Sequence, residues 1–156
     1  MFNPRIKAFS IHLLLSGCVA IAVVSLVFFI WYPSPLHTAV GVTKIFLMLI
    51  GIDLILGPCL TFLVYKQGKK TLTMDLSIIC AIQLGALLYG LNAVADGRPA
   101  WLVFADDRFQ LVRVNEIDER KLGEAQLEYR SPPWTGPKWV SVLAPEDADE
   151  RSDLLF

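Results

Sequence analysis

The sequence predicts a membrane protein: an all-α bundle of three transmembrane helices, followed by a small C-terminal α+β module with an antiparallel β-hairpin. Three observations carry this. Of 156 residues, 54% are hydrophobic and 19% charged, with a mean hydropathy of +0.52, against roughly 45–50% apolar and 25% charged in a soluble domain. Three long apolar runs fall within residues 1–95. Charge is also unevenly spread: residues 1–95 hold six Lys/Arg and two Asp, whereas residues 96–156 hold eight basic and thirteen acidic side chains. The formal net charge of −1 is thus a cancellation between a basic membrane part and an acidic extramembrane part. It argues against a nucleic-acid binder, which presents a strongly basic face.

The first span, about 8–32, carries no Lys, Arg, Asp or Glu. At about 1.5 Å per residue it exceeds the roughly 30 Å hydrocarbon core. Arg5 and Lys7 resemble the n-region of a signal peptide, but the run is far longer than the 7–15 residues of such a segment. It ends in Phe28, Phe29, Trp31 and Tyr32, which read as an interfacial aromatic belt. The expectation is an uncleaved anchor. The second span covers about 43–65 and the third about 76–95, both long enough to cross. Residues 33–42 link the first two. Residues 66–75 link the second and third and are too polar to stay in lipid.

Short-loop basic residues set the orientation. Arg5 and Lys7 precede the first span, and Lys66, Lys69 and Lys70 lie in the second loop, so both segments are expected in the cytoplasm. The first loop has no Lys or Arg, with Lys44 just inside the next span. Three spans from a cytoplasmic start place residues 96–156 outside, in the periplasm of a bacterial inner membrane.

In the module, residues 101–104 and 109–114 are rich in β-formers and are separated by a polar turn, the signature of a hairpin. Residues 116–128 read as a short polar helix broken at Gly123. Residues 130–137 are a loop, and 138–143 a third strand. Arg98 and Trp101 suit a membrane interface. Sixty-one residues without a disulfide are marginal alone, so the module is expected to lean on the membrane surface, a partner, or another copy in a homo-oligomer. Pro145, Glu146 and Asp147 read as a helix start, and Leu154, Leu155 and Phe156 follow as the chain stops, the pattern of a truncated domain.

Asp53 is the most informative residue, near the middle of its span. A carboxylate there costs about 2.5–3.5 kcal/mol on the lenient insertion scale, so it must face protein or water. A hydrogen bond within the bundle (Gln83 sits at similar depth), a docking point for a partner helix, and ion or proton translocation all remain open. Gly57 and Pro58 follow one turn later. Pro58 cannot donate to the carbonyl of Leu54, and Thr61 is a hydroxyl that could answer that carbonyl. In the third span Ala81/Gly85 and Ala86/Gly90 give small-xxx-small spacing for close helix approach. Tyr89 and Gln83 add hydrogen-bonding capacity there. Asp75 is placed to cap the third helix. His12 and His37 have no companion ligand and receive no role.

Cys18, Cys59 and Cys80 all lie within the spans, with no CxxC and no Cys/His metal spacing, so neither a disulfide framework nor a metal is expected. No cofactor motif, nucleophile–base pair or Gly-rich phosphate loop occurs, and the chain is expected not to be an enzyme. Asp106 and Asp107 read as a solvated turn, and Trp134 and Trp139 as core or interface residues.

Asp53 followed by Leu56-Gly57-Pro58 and Thr61, then Lys69-Lys70, Asp75-Leu76, Gln83, Tyr89-Gly90, Arg98-Pro99, Phe104 and Asp107-Arg108-Phe109, form an ordered set that spans nearly the whole chain. In this order and spacing the chain resembles the type IV pilin accessory protein family (TfpX/TfpZ-like). The resemblance implies a non-enzymatic, chaperone-like membrane protein that binds a cognate type IV major pilin and aids pilus assembly or dynamics. It further implies partner-binding residues among Asp53, Gly57, Pro58, Thr61, Gln83, Tyr89 and Gly90, and a module surface around Arg98, Asp107, Arg108 and Phe109. The alternative is a small ion- or proton-coupled membrane subunit that uses Asp53.

Overall fold

The structure, a computed structural model, describes residues 3–105, 107–123 and 125–142. Asp106, Leu143, the helix start at Pro145 and the final Leu-Leu-Phe lie outside the described residues. The chain divides into two compact units, residues 1–95 and 96–156.

The first unit holds three helices long and apolar enough to cross a membrane. The first, α1 (Pro4–Ser25), continues as a π-helical turn over Leu26–Trp31. It starts four residues before the charge-free run. The Asn3 side chain accepts from the Arg5 N–H at 3.1 Å, and Pro4 sits in the first turn, where its fixed φ costs nothing. A short helix α2 (Leu36–Ala39) leads to α3 (Val42–Val64). Gly41 precedes α3 with φ +71°, a conformation that glycine adopts without a Cβ penalty. Helix α4 spans Leu72–Asp96. Asp75 therefore lies in its first turn instead of capping it. There its carboxylate meets Lys69 Nζ at 2.7 Å and accepts from the Thr71 hydroxyl at 3.1 Å.

Ring contacts between Phe9 and Phe62 (6.2 Å) and between Phe28 and Phe46 (5.6 Å) run α1 antiparallel to α3 along its length. The common core is Val27, Trp31, Tyr32, Phe46, Ile50, Leu87 and Ala95. The aromatic belt expected at the end of the first span is thus only partly realised. Phe29 is 79% exposed, but Trp31 and Tyr32 are buried. In the π turn the N–H of Tyr32 reaches back to the Val27 carbonyl at 2.7 Å, and Trp31 and Tyr32 enter the core. The Tyr32 hydroxyl then donates to the Val94 carbonyl at 2.7 Å, one of the last four carbonyls of α4, which have no partner inside the helix.

The second unit is a three-stranded sheet of order β2-β1-β3. Strands β1 (Pro99–Ala105) and β2 (Arg108–Arg113) form the expected antiparallel hairpin, with Phe104 opposite Phe109. Strand β3 (Lys138–Val142) pairs parallel to β1. A parallel pair needs a long crossover, and residues 114–137 supply it. The polar helix expected over 116–128 does not form. Single 3-10 turns at Glu119–Lys121 and Leu127–Tyr129 take its place. The Arg130 guanidinium fastens this stretch by donating to the carbonyls of Ala125 (2.9 Å) and Gly123 (2.8 Å), bonds made by a bend and not by a helix.

Where β2 ends, Glu116 accepts from the Arg113 main-chain N–H (2.9 Å) and from its Nε (3.0 Å). The Arg113 side chain first, and its main chain second, hold the Glu116 carboxyl below its ordinary value. A depressed folded-state pKa contributes stability above the ordinary glutamate range, and loses it as pH falls through the folded value. An NMR titration of the Glu116 side chain is expected to show this low midpoint, with Arg113→Gln moving it up. An unchanged midpoint in the variant would refute the assignment.

Candidate functional site

Five polar groups meet inside the first unit, drawn from all three long helices. His12 and Ser16 stand one turn apart on α1. Asp53 and Thr61 come from α3, and Gln83 from α4. His12 Nδ1 lies 2.6 Å from the Thr61 hydroxyl, and His12 Nε2 lies 3.0 Å from Gln83 Oε1. Gln83 Nε2 donates to the Ser16 hydroxyl at 3.2 Å and to the main-chain carbonyl of Asp53 at 2.9 Å.

With a neutral imidazole, these contacts set one direction of donation from Thr61 to the Asp53 carbonyl. A carbonyl only accepts, so the amide nitrogen of Gln83 must face Asp53, and its oxygen must face His12. Nε2 of His12 therefore carries hydrogen. In neutral imidazole Nδ1 is then an acceptor, and the Thr61 hydroxyl donates to it. The result is one polarised line from Thr61 through His12 and Gln83 to the Asp53 carbonyl. In a unit with no water in its hydrocarbon layer each of these groups needs such a partner.

The local sequence makes room for it. Gly57 is buried, and a Cβ at that position would fall on the Gln83 amide, with Cδ at 2.5 Å and Nε2 at 2.7 Å. Glycine lets the amide lie against α3 without being displaced. Pro58, also buried, sits inside α3, which runs on through it to Val64. The expected link between Asp53 and Gln83 is present: Gln83 donates to the Asp53 main-chain carbonyl and also hydrogen-bonds its carboxyl. Thr61 serves His12.

Asp53, Gly57, Pro58, Thr61 and Gln83 are thus brought together. Tyr89 is not among them. It is 82% exposed on the outside of α4. Gly90 is buried elsewhere, against the Leu49 side chain. Of the small-residue pairs read on α4, Gly90 makes a close helix contact, whereas nothing lies near a Cβ built at Gly85. His12, which received no role from the sequence, is the hub. The available signal is spacing: His12 and Ser16 are four apart, on one face of the helix, within a run that has no Lys, Arg, Asp or Glu.

Two grooves border the network. One, about 270 Å³, lies between α1 and α4 and is lined by Leu15, Val19, Cys80 and Leu84 with His12, Asp53 and Gln83. The other, about 360 Å³, lies between α3 and α4, where Asp53 and Gln83 are set among apolar side chains.

In the second unit, Arg98 and Trp101 are buried (6% and 8% exposed) and so do not present themselves as interface residues. Arg98 lies over the Trp134 ring at 4.9 Å and donates to the Pro133 carbonyl at 3.4 Å. Asp107 and Arg108 pair at 3.2 Å in the exposed hairpin turn. Phe109 joins Phe104 (5.0 Å) and Trp139 (5.3 Å) in an aromatic row on the sheet. No group of three or more His, Cys, Asp or Glu among the described residues could hold a metal ion.

Residues 1–41 match the family model of the fimbrial assembly protein FimB. Over 149 residues the chain is 36% identical to a fimbrial assembly protein of serogroup E1 from Dichelobacter nodosus, and equally to one of serogroup I, covering 94% of this chain and 58% of each relative. A third, of serogroups C1 and C2, is 38% identical over 113 residues, covering 71% of this chain and 86% of that relative. The chain therefore spans less than two thirds of the length of the first two relatives. No solved structure matches.

Proposed function

This chain belongs to the fimbrial assembly protein family, and from that premise we propose that it is a non-enzymatic, chaperone-like accessory protein of the bacterial inner membrane that binds a type IV major pilin and aids pilus assembly. The observation that carries this reading is the polar seat shared by three membrane-length helices, in a chain whose relatives are named fimbrial assembly proteins. A seat of this kind positions helices against one another and against a neighbour.

The reading includes an orientation. The contact of Phe9 with Phe62 puts the start of α1 and the end of α3 at one end of the unit. Arg5, Lys7, Lys66, Lys69 and Lys70 all belong to that end. Basic flanks stay in the cytoplasm, which puts the N-terminus there and the sheet module in the periplasm. Tyr89 and the aromatic row of Phe104, Phe109 and Trp139 are then available to a pilus subunit.

Two measurements test this together. Deleting the gene is expected to abolish surface pili while pilin is still made and inserted in the membrane. Affinity purification of the tagged protein in mild detergent is expected to retain the major pilin. Normal piliation without the gene, or no pilin retained under any detergent, would overturn the reading.

A further inference from the structure

We propose that the groove between α1 and α4 seats a membrane-spanning helix of the partner, and that this helix presents a hydrogen-bond donor to Asp53. The inference rests on the reading above, that the chain holds a pilus subunit in the membrane, and names where and by what chemistry.

A carboxylate in hydrocarbon is costly and must face protein or water. Asp53 lines this groove, partly buried, in company with His12 and Gln83. His12 Nε2–H goes to Gln83, and the Gln83 amide goes to Ser16 and the Asp53 main chain. The Asp53 carboxyl takes part in a side-chain hydrogen bond with Gln83 and lies near His12, yet its two oxygens keep further acceptor sites toward the groove. Its complement is a donor: an amine, a hydroxyl or an amide at the same depth. The rest of the lining is apolar (Leu15, Val19, Leu84), which suits an apolar helix around that one polar group. A helix is about 10 Å across, so about 270 Å³ admits its side chains and not its backbone. The partner lies along the groove and inserts side chains, as in ridge-into-groove packing. The α1/α4 groove is favoured over the α3/α4 groove because His12, Ser16 and Thr61 also line it, giving the incoming polar group a polar surround.

Two native cysteines discriminate the faces. Cys80 lines the α1/α4 groove, and Cys59 lies on the outer surface of α3 beside Met48 and Ile55. Variants retaining only Cys80 or only Cys59 are co-expressed with the major pilin of the same organism, bearing single cysteines scanned along its apolar segment. Oxidation is expected to give disulfide adducts through Cys80 at pilin positions three or four apart, and none through Cys59. Asp53→Leu is expected to lower the Cys80 adduct about tenfold, in proportion to one hydrogen bond to a charged group, and Asp53→Asn to lower it less. Pilin that is retained on purification yet cross-links through Cys59 as strongly as through Cys80, or through neither, overturns the groove and leaves the proposed function standing. So does a Cys80–Cys80 adduct between two copies of this chain in place of the pilin adduct. Pilin that is not retained at all overturns the proposed function itself.

Discussion

Gln83→Leu is expected to destabilise the three-helix unit by about 2 kcal/mol, measured by denaturation in mixed detergent micelles with helical circular dichroism as the probe. Gln83 makes three hydrogen bonds to two other helices, and interhelical hydrogen bonds in membranes average about 0.6 kcal/mol each. The sign is the informative part. Leucine is more apolar than glutamine and similar in size, so a bystander at this position would become neutral or stabilising when replaced. Loss of stability would show that the amide holds α4 to α1 and α3. The double variant His12→Leu/Gln83→Leu sharpens the test. Removing Gln83 alone strands the Nε2–H of His12, and a stranded donor costs more than a missing bond. The two changes together should therefore cost less than the sum of the two alone. Simple additivity would mean that His12 and Gln83 are not coupled.

The helices of this chain are legible in its sequence because their signal is redundant. Length, lack of charge and basic loops all point to the same three segments. Their ends are less legible. The reading by charge starts the first span after Lys7, but Asn3 and Pro4 begin the helix, and Arg5 and Lys7 ride its first turn. The belt of Phe29, Trp31 and Tyr32 follows composition. A π turn, which leaves no mark in composition, sends two of the three inward. The hairpin of β1 and β2 reads from two runs of β-formers and the polar turn between them. The crossover before β3 does not, because Arg130 and two 3-10 turns hold it through main-chain carbonyls.

The candidate site divides in the same way. Asp53, Gly57, Pro58, Thr61 and Gln83 stand out singly as polar or helix-breaking groups in apolar runs. Their partners are tertiary facts. Sequence alone pairs Thr61 with a carbonyl freed by Pro58, a local solution within one helix. The hydroxyl turns instead to His12, forty-nine positions away. His12 has no second metal ligand near it in sequence, a criterion that does not apply to a hydrogen-bond hub.

Gly57→Ala is expected to weaken the unit more than Gly51→Ala or Gly85→Ala, by about 1–3 kcal/mol, the cost of overpacking a tight contact. The added methyl would fall within the van der Waals radius of the Gln83 amide, where carbon atoms need about 3.5–4.0 Å. Either α4 moves outward or Gln83 leaves its three partners. Intrinsic propensity works in the opposite direction, since alanine favours a helix over glycine by about 1 kcal/mol. Gly51, on the same helix, isolates that term, because nothing lies within 4 Å of a Cβ built there. Gly51→Ala is therefore expected to be neutral or stabilising, and opposite signs at Gly51 and Gly57 would separate contact from propensity. The suppressor completes the case. In a Gln83→Ala background the amide is gone, so adding Gly57→Ala should cost nothing further. If Gly57→Ala costs as much with alanine at 83 as with glutamine, the glycine is not there to seat the amide, and the network does not depend on the close approach of α3 and α4.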